Sequence, residues 1–374
     1  MQPVPLFIVR EDASVDELGL WHHEARTLEL VAKGFPFLGP GRHVIEGTLP
    51  WLFWEMFPSG FLGARFRRAF PELRLTDARW PTDAGECLRA LSQRGEDLPG
   101  NVLVGAETKG RFERDYLPAL LAGRLKRDDV ARVIDESLDA NGPGTSSSVG
   151  GERPKVLLHD VGESRSEMLL KFTPPLDTPL GIRWKNLLRF EALCGETLRH
   201  HGIAAVATRA SFQFLPWAPR AGLLMRRYDR VPVGGRRGTA TLWALATERG
   251  LGDAAAPTVL HALHADGLVT AADAALVERV HRFSAAIGNT DAHLGNYGLL
   301  FDASGAAAVA PFFDISPMVF APRADELPDV RLTPRTEPIP TDVAPLVATL
   351  DSLVSEDDVI DADFREAWRR HVGC

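Results

Sequence analysis

Ile287-Gly288-Asn289-Thr290-Asp291-Ala292-His293-Leu294-Gly295-Asn296-Tyr297, followed one short hairpin later by Phe312-Phe313-Asp314, is the stretch on which the reading of this chain turns. Asp291 and Asn296 are five positions apart. At that spacing phosphoryl-transfer loops carry a carboxylate that receives a hydroxyl proton and an amide that holds Mg²⁺. Asp314 is then the second candidate metal ligand. Tyr297 to Phe301 and Ala307 to Phe313 read as two strands, joined by Asp302-Ala-Ser-Gly305, whose glycine tolerates positive φ. A hairpin of that size returns the chain to its start, so Asp314 can face Asp291 and Asn296. Taken alone, an Asp and Asn at this spacing also describe an ordinary polar loop, so the reading rests on what lies upstream.

Two strands precede it. Asn141-Gly-Pro-Gly-Thr-Ser146-Ser147-Ser148-Val-Gly150-Gly151-Glu-Arg-Pro-Lys155 leads into Val156 to His159, and Glu167-Met-Leu-Leu-Lys171-Phe172 follows. Without Cβ atoms in the way, a Gly-rich turn at a strand edge lets backbone N–H groups approach phosphate oxygens. No Gly-Lys-Ser/Thr ends the turn, so it is not a Walker loop; read blandly, it is a linker. Lys171 closes a strand among apolar neighbours, where a phosphate-pairing lysine needs an acidic partner from the next helix. Trp184 to His200 has Leu187, Leu188, Glu191, Cys194 and Leu198 at spacings of three and four, and Gly202 ends it. That stripe turns Glu191 inward, and a buried carboxylate without a cation is costly, which makes Lys171 its natural partner.

Further out, Ala205 to Leu215 and Leu223 to Tyr228 read as a hairpin. Its end, Met225-Arg226-Arg227-Tyr228-Asp229-Arg230, is a candidate hinge between lobes, where adenine bonds to main-chain groups. From Leu242 on, helical spacing dominates: Trp243 to Arg249, Pro257 to Ala265, Ala271 to Ile287, then Asp342 to Leu353 and Asp361 to Val372. Before the Gly-rich turn, Leu6 to Glu107 mixes short apolar runs with turns and ends in the strand Val102 to Gly105. Phe112 to Leu138 reads as one or two amphipathic helices. The Trp51-Leu-Phe-Trp54 cluster is read as core, and Arg65-Phe-Arg67-Arg68 as a solvated helix face.

Composition narrows the field. The 374 residues are 45% hydrophobic and 25% charged, ordinary for a globular chain that divides into two or three units. A net charge of −8 disfavours indiscriminate binding to nucleic acid or an anionic membrane. Cys87, Cys194 and Cys374 are too few and too scattered for a disulfide framework or a zinc cage, which suits the reducing cytoplasm. No apolar run approaches the ~20 residues that span a bilayer, and no signal peptide is evident.

Taken in order, these motifs resemble the HipA family of bacterial serine/threonine kinases, the toxin half of a toxin–antitoxin pair, over roughly residues 45 to 350. Ser148-Val-Gly-Gly-Glu-Arg-Pro-Lys155 resembles its Ser-Val-x-Gly-x-x-x-Lys loop, Leu170-Lys171 its ATP-lysine strand, and Glu191 to Gly202 its helix spacing. Arg227-Tyr228-Asp229-Arg230 resembles its hinge, and Gly288 to Asn296 with Phe312 to Ile315 its catalytic and metal motifs. The resemblance implies an α+β bilobal kinase-like fold: an N-terminal unit 1–140, an ATP-loop lobe 141–232 and a helical lobe 233–374. It implies ATP and Mg²⁺ as cofactors, with Asp291 catalytic and Asn296 and Asp314 on the metal. Ser148, Gly150, Gly151, Lys155, Lys171, Glu191, Arg226, Tyr228 and His293 then lie about the nucleotide. Ser148, flanked by Ser146 and Ser147, falls on the family's autophosphorylated serine, whose phosphate would repel ATP from the loop.

The implied partners are a protein substrate, an aminoacyl-tRNA synthetase in known relatives, and an antitoxin; direct nucleic-acid binding is expected only through a partner. Two departures stand out. Arg226 replaces a frequently acidic hinge residue, and Arg153-Pro154 replaces the usual Gln-Glu, as in a divergent branch. The rival readings are a small-molecule phosphotransferase of aminoglycoside type, a DNA-associated module or nuclease, and an inactive pseudokinase.

Overall fold

Alternation of apolar and polar residues produces sheets in three places, and the helices fill the space between them. The computed structural model describes residues 2–76, 83–122, 134, 154–159, 167–212, 219–322, 327 and 338–373. The first sheet is antiparallel in the order β4-β3-β2-β1-β5, from β1 Val4–Val9, β2 Val15–His22, β3 Thr27–Leu30, β4 Gly41–Val44 and β5 Val102–Val104. One face packs Leu6, Ile8, Trp21 and Leu28 against α1 Trp51–Met56 and α3 Ala84–Arg94, with α2 Gly60–Ala69 beside them. Trp21 and Phe53 are fully buried in this core, and Trp51 and Trp54 of the expected aromatic cluster pack against it partly buried. Of the expected helical stretch Phe112 to Leu138, the structure describes a π-helical turn, Phe112–Tyr116, and α5 Leu117–Leu121, preceded by α4 Ala106–Arg111, which the sequence reading did not anticipate.

The second sheet, β6-β7-β9-β8, carries the site. β6 Lys155–His159 and β7 Glu167–Phe172 lie where the sequence predicts them; β8 Thr208–Phe212 and β9 Ala221–Arg226 complete it. Leu169 and Lys171 pair with Met225 and Leu223, and residues two apart on a strand share a face. On that face Leu223 and Met225 pack with Leu188 and Ala192 of the long helix α6, Pro179–His200. This helix begins five residues before the expected Trp184, because the Thr178 hydroxyl accepts from Gly181 N at 3.0 Å and Pro179 suits the first turn. Its opposite side, through Leu187, Phe190, Leu193 and Leu198, enters the main core. Thus α6 has two apolar faces where the sequence reading saw one stripe.

That main core is built by α7 Leu242–Glu248, α8 Ala256–Ala265, α9 Ala271–Ala286, α10 Ala344–Glu356 and α11 Ala362–Val372. A third sheet, β10-β11-β12, crosses it: β10 Gly238–Thr241, β11 Gly298–Phe301 and β12 Ala307–Val309. Strand β10 is unanticipated; pairing Thr241 with Gly298 and Gly238 with Phe301 makes its Gly-Thr-Ala-Thr run a strand. β12 stops short of the expected Phe313 because Pro311 lacks an N–H to continue the ladder. The chain there crosses to a parallel bridge between Phe312 and Ala205, with Val206 N donating to Phe312 O at 2.9 Å.

Candidate active site

Lys171 sits near the end of β7 on the α6 face and is only 2% exposed. Its ammonium donates to Glu191 Oε1 at 2.6 Å and also to Asp314 Oδ1. Three side chains from a strand, a helix and the segment after the third sheet therefore meet around one positive charge. Burial demands this: a lone ammonium in so dry a place is costly, and two carboxylates supply the countercharge. Asp314 adopts φ +58°, a left-handed conformation uncommon outside glycine, and such strain concentrates at functional positions. Burial first, and then the neighbouring Glu191, push the Cys194 thiol well above its ordinary value, so this cysteine is no nucleophile.

The Asp291 loop forms a second constellation. Asn296 Nδ2 donates to Asp291 O at 2.7 Å, which fixes the amide's orientation and leaves Oδ1 as its acceptor atom. Asp291 N donates to Asn289 Oδ1 at 3.1 Å, and Asn289 Nδ2 in turn donates to Ser284 Oγ on α9 at 2.8 Å. Asn289 is buried and ties the loop to the helix that delivers it; the sequence reading missed this role, although an Asn following Gly288 at a helix end was a signal for such a turn. His293 is exposed and begins the 3₁₀ turn Leu294–Asn296, its Nδ1 accepting from Gly295 N at 3.1 Å. The stretch 312–320 connects the two constellations. Phe312 stacks edge-on against Tyr297, and Val319 N donates to Gly288 O at 2.8 Å.

Lys155 is directly opposite Lys171 in the β6–β7 register, on the same sheet face and half-buried. Tyr228 stacks its ring on Phe313 with centroids 5.6 Å apart. Arg226 is exposed at the end of β9 opposite Met168, on the face away from Lys171. Ser146, Ser147, Ser148, Gly150 and Gly151 lie outside the described residues.

Around the hinge the structure shows what sequence reasoning missed. Arg227, Asp229 and Arg230 form a buried ion network with Glu167 of β7 and with the loop before β5. Arg227 reaches Asp97 at 2.9 Å, while Arg230 reaches Asp229 at 2.6 Å, Glu167 at 3.1 Å and the carbonyl of Leu98 at 2.8 Å. Gly100 N donates to Asp229 Oδ2 at 3.0 Å. Burial alone would raise the Asp229 carboxyl, but the Arg227 and Arg230 guanidinium groups overcome it and hold the group well below the usual aspartate value. Arg236, whose guanidinium lies over the Phe112 ring at 4.7 Å, is brought down to about 10 by burial and by the charge of Arg230. Three arginines and three acids in a dry junction weld the first sheet unit to the hinge. The clue in the sequence was charge inside a stretch flanked by buried strands.

The donor set suits a hard cation. Among the described residues no three His, Cys, Asp or Glu side chains gather into a metal cage. Asp314 carries a carboxylate and Asn296 an amide oxygen, donors of the kind taken by Mg²⁺, which keeps several waters and takes further oxygens from a phosphate ligand.

The HipA-like C-terminal domain profile matches residues 147–359, more than half of the chain. The chain belongs to the HipA-like family. Residues 1–113 of this HipA-like protein also match the middle domain of YjjJ-like toxins. It is 28% identical over 278 residues to Toxin YjjJ of Escherichia coli (strain K12), a match covering 74% of this chain and 61% of that protein. The HipA-like chain thus aligns with about three-fifths of that relative's length. The Shewanella oneidensis MR-1 HipA structure, determined with HipB and operator DNA, superposes with a TM-score of 0.60 at 14% identity, covering 99% of this chain and 96% of that one. At that identity the likeness speaks for the fold, which is the α+β kinase-like bilobal arrangement expected from the sequence. No described helix is long and apolar enough to cross a membrane.

Proposed function

We propose that this HipA-like protein is an ATP- and Mg²⁺-dependent serine/threonine protein kinase of toxin type. The observation that carries the reading is the Lys171 ammonium held between Glu191 and Asp314, brought from positions 20 and 143 residues away. Lys171, with Lys155 opposite it, supplies positive charge for phosphate oxygens; Asp314 and Asn296 would hold Mg²⁺, which when bound neutralises charge on the phosphates. Asp291 orients the acceptor hydroxyl and takes its proton as the new O–P bond forms and the bond to ADP breaks. Asn289 keeps the Asp291 backbone in place meanwhile, so the chain's own contribution is positioning and electrostatics.

On this reading the chain divides into units 1–140, 141–232 and 233–374. The serines at 146–148 are the sites of self-phosphorylation, and an antitoxin protein is a partner, as HipB accompanies HipA in the Shewanella complex. The test is incubation of the pure protein with labelled ATP, Mg²⁺ and cell lysate beside Asp291→Ala and Asp314→Asn. Label should enter a protein with the unaltered chain and fall about 10²–10³-fold in each variant. Equal labelling by all three would sink the reading.

A further inference from the structure

The helix that bears Glu191 is fastened to the C-terminal end of the chain along the side opposite its carboxylate. Arg189 donates through Nε to Asp357 Oδ2 at 2.7 Å, with its Nη2 at 2.5 Å from the same oxygen. Asp357 is buried, and its other oxygen accepts from Val359 N and Ile360 N at 3.0 and 3.1 Å, so one carboxylate joins α6 to the turn that opens α11. Asp361 receives Lys185 Nζ and Asn186 Nδ2, each at 2.7 Å, and returns its own N–H to Asn186 Oδ1 at 3.0 Å. Between these polar ties, the Phe190 ring lies 5.1 Å from Trp368 and 5.6 Å from Phe364.

The same C-terminal helix also supports the other parts of the site. Phe364 and His371 pack on Phe320, six residues beyond Asp314, while Arg183 of α6 donates to the Phe320 carbonyl at 2.8 Å. Gly288, at φ +77°, opens the Asp291 loop so close to His371 that a Cβ would stand 2.7 Å from its Nε2. One element therefore touches the Glu191 helix, the segment after Asp314 and the root of the catalytic loop.

We infer that the turn Asp357–Asp361, with α11, is a built-in clamp that keeps the Glu191 helix against β7, and that Arg189 and Asp357 are positioning residues for Lys171. A swing of α6 away from the sheet would drive Phe190 into the Phe364 and Trp368 rings already packed behind it, and a roll of the helix would pull Arg189 from a buried carboxylate. The Lys171–Glu191 contact is thus assembled by the chain itself, without a partner to push the helix inward. Its consequence for phosphoryl transfer rests on the function proposed above.

The experiment uses the full chain, with Arg189→Met, Asp357→Asn and the conservative Arg189→Lys. Acetylation of Lys171 by an N-hydroxysuccinimide ester, followed by mass spectrometry, reads whether its ammonium is shielded and needs no turnover. Phosphate transfer is measured in parallel as kcat and as KM for ATP, and a melting curve confirms that each variant is folded. Arg189→Met and Asp357→Asn are expected to speed Lys171 acetylation about tenfold and to lower kcat about tenfold at a KM within about twofold of the parent. Arg189→Lys, which keeps the charge, should stay near the parent in both readouts. Folded Met and Asn variants with parental acetylation overturn the clamp even if transfer is normal. An unaltered chain that transfers no phosphate, with acetylation still rising in the variants, overturns the kinase reading and leaves the clamp standing. Should the Met and Asn variants fail to fold, Arg189→Lys decides: parental acetylation supports the clamp, and full exposure of Lys171 with the charge retained overturns it.

Discussion

At the residue scale the deciding contrast is between Lys171, which is dry, and Asp291, which is partly exposed. Replacing Lys171 with Met strips the ammonium from two carboxylates, one of them the buried Glu191, and removing one partner of a buried ion pair costs about 3–5 kcal/mol. Asp291→Ala touches a polar loop surface, where substitutions cost about 0.5 kcal/mol or less. Urea unfolding should separate the two variants by that margin while both lose phosphate transfer; equal stability would mean that Lys171 is solvated in solution. A loss of activity in Lys171→Met is therefore ambiguous on its own, and Asp291→Ala is the cleaner probe. Asp314 illustrates a different constraint. Its left-handed backbone accepts Asn nearly as well as Asp, so Asp314→Asn should fold normally, whereas Asp314→Val should also lower the melting temperature, because a β-branched side chain crowds that conformation.

At the element scale α1 meets the third sheet through Glu55, whose carboxylate accepts from Thr241 N at 3.2 Å and from Thr241 Oγ1 at 3.0 Å. Burial raises this carboxyl above its ordinary 4.5, and the two Thr241 hydrogen bonds only partly offset the rise. A folded-state value above the unfolded one means that the folded chain binds more protons, so this group's contribution to stability falls as pH rises beyond 4.5. Glu55→Gln keeps an acceptor for Thr241 N and can donate to the hydroxyl, without an ion to desolvate. The variant should match the parent near pH 4 and become the more stable of the two by pH 7 in thermal melts. A constant difference across that range would show that the charge is not the issue.

At the scale of the whole molecule the hinge network joins units that lie 129 to 132 residues apart in the chain. Asp229 is its centre, accepting from Arg227, Arg230 and Gly100 N. Because its folded-state value is depressed, its contribution is present above the ordinary 3.8 and is lost as pH falls through the lower folded value. Asp229→Asn should cost about 3–5 kcal/mol at neutral pH by leaving two buried guanidinium groups short of an anion. Acid unfolding below pH 4 should also become shallower than in the parent. If the variant's acid limb is as steep as the parent's, the linkage runs through Asp97, which the same arginines also hold below its ordinary value. The first sheet unit then remains attached through Arg236, whose N–H donates to Arg10 O at 3.1 Å.

Most of the elements were legible because their causes are local. Period-two and period-3.6 patterns, the turn chemistry of Asp302 to Gly305, and the Gly202 stop all act within a few residues, and β6, β7 and α8 to α11 fall within a few residues of their expected bounds. What escaped was decided at a distance. β10 is a strand because β11 lies beside it, and α6 is apolar on two sides because a sheet and a helical core both reach it. The Arg227–Arg230 charges are buried because residues 96–101 close over them. Sequence by itself determined which groups could do chemistry here: a lysine on a strand, an inward glutamate, and an Asp, Asn and Asp in order. Only the tertiary structure decided that Asp314 joins the anticipated Lys171–Glu191 pair and that α11 braces the Glu191 helix, since contacts across 143 residues depend on sheet order and helix crossing, which no local pattern encodes.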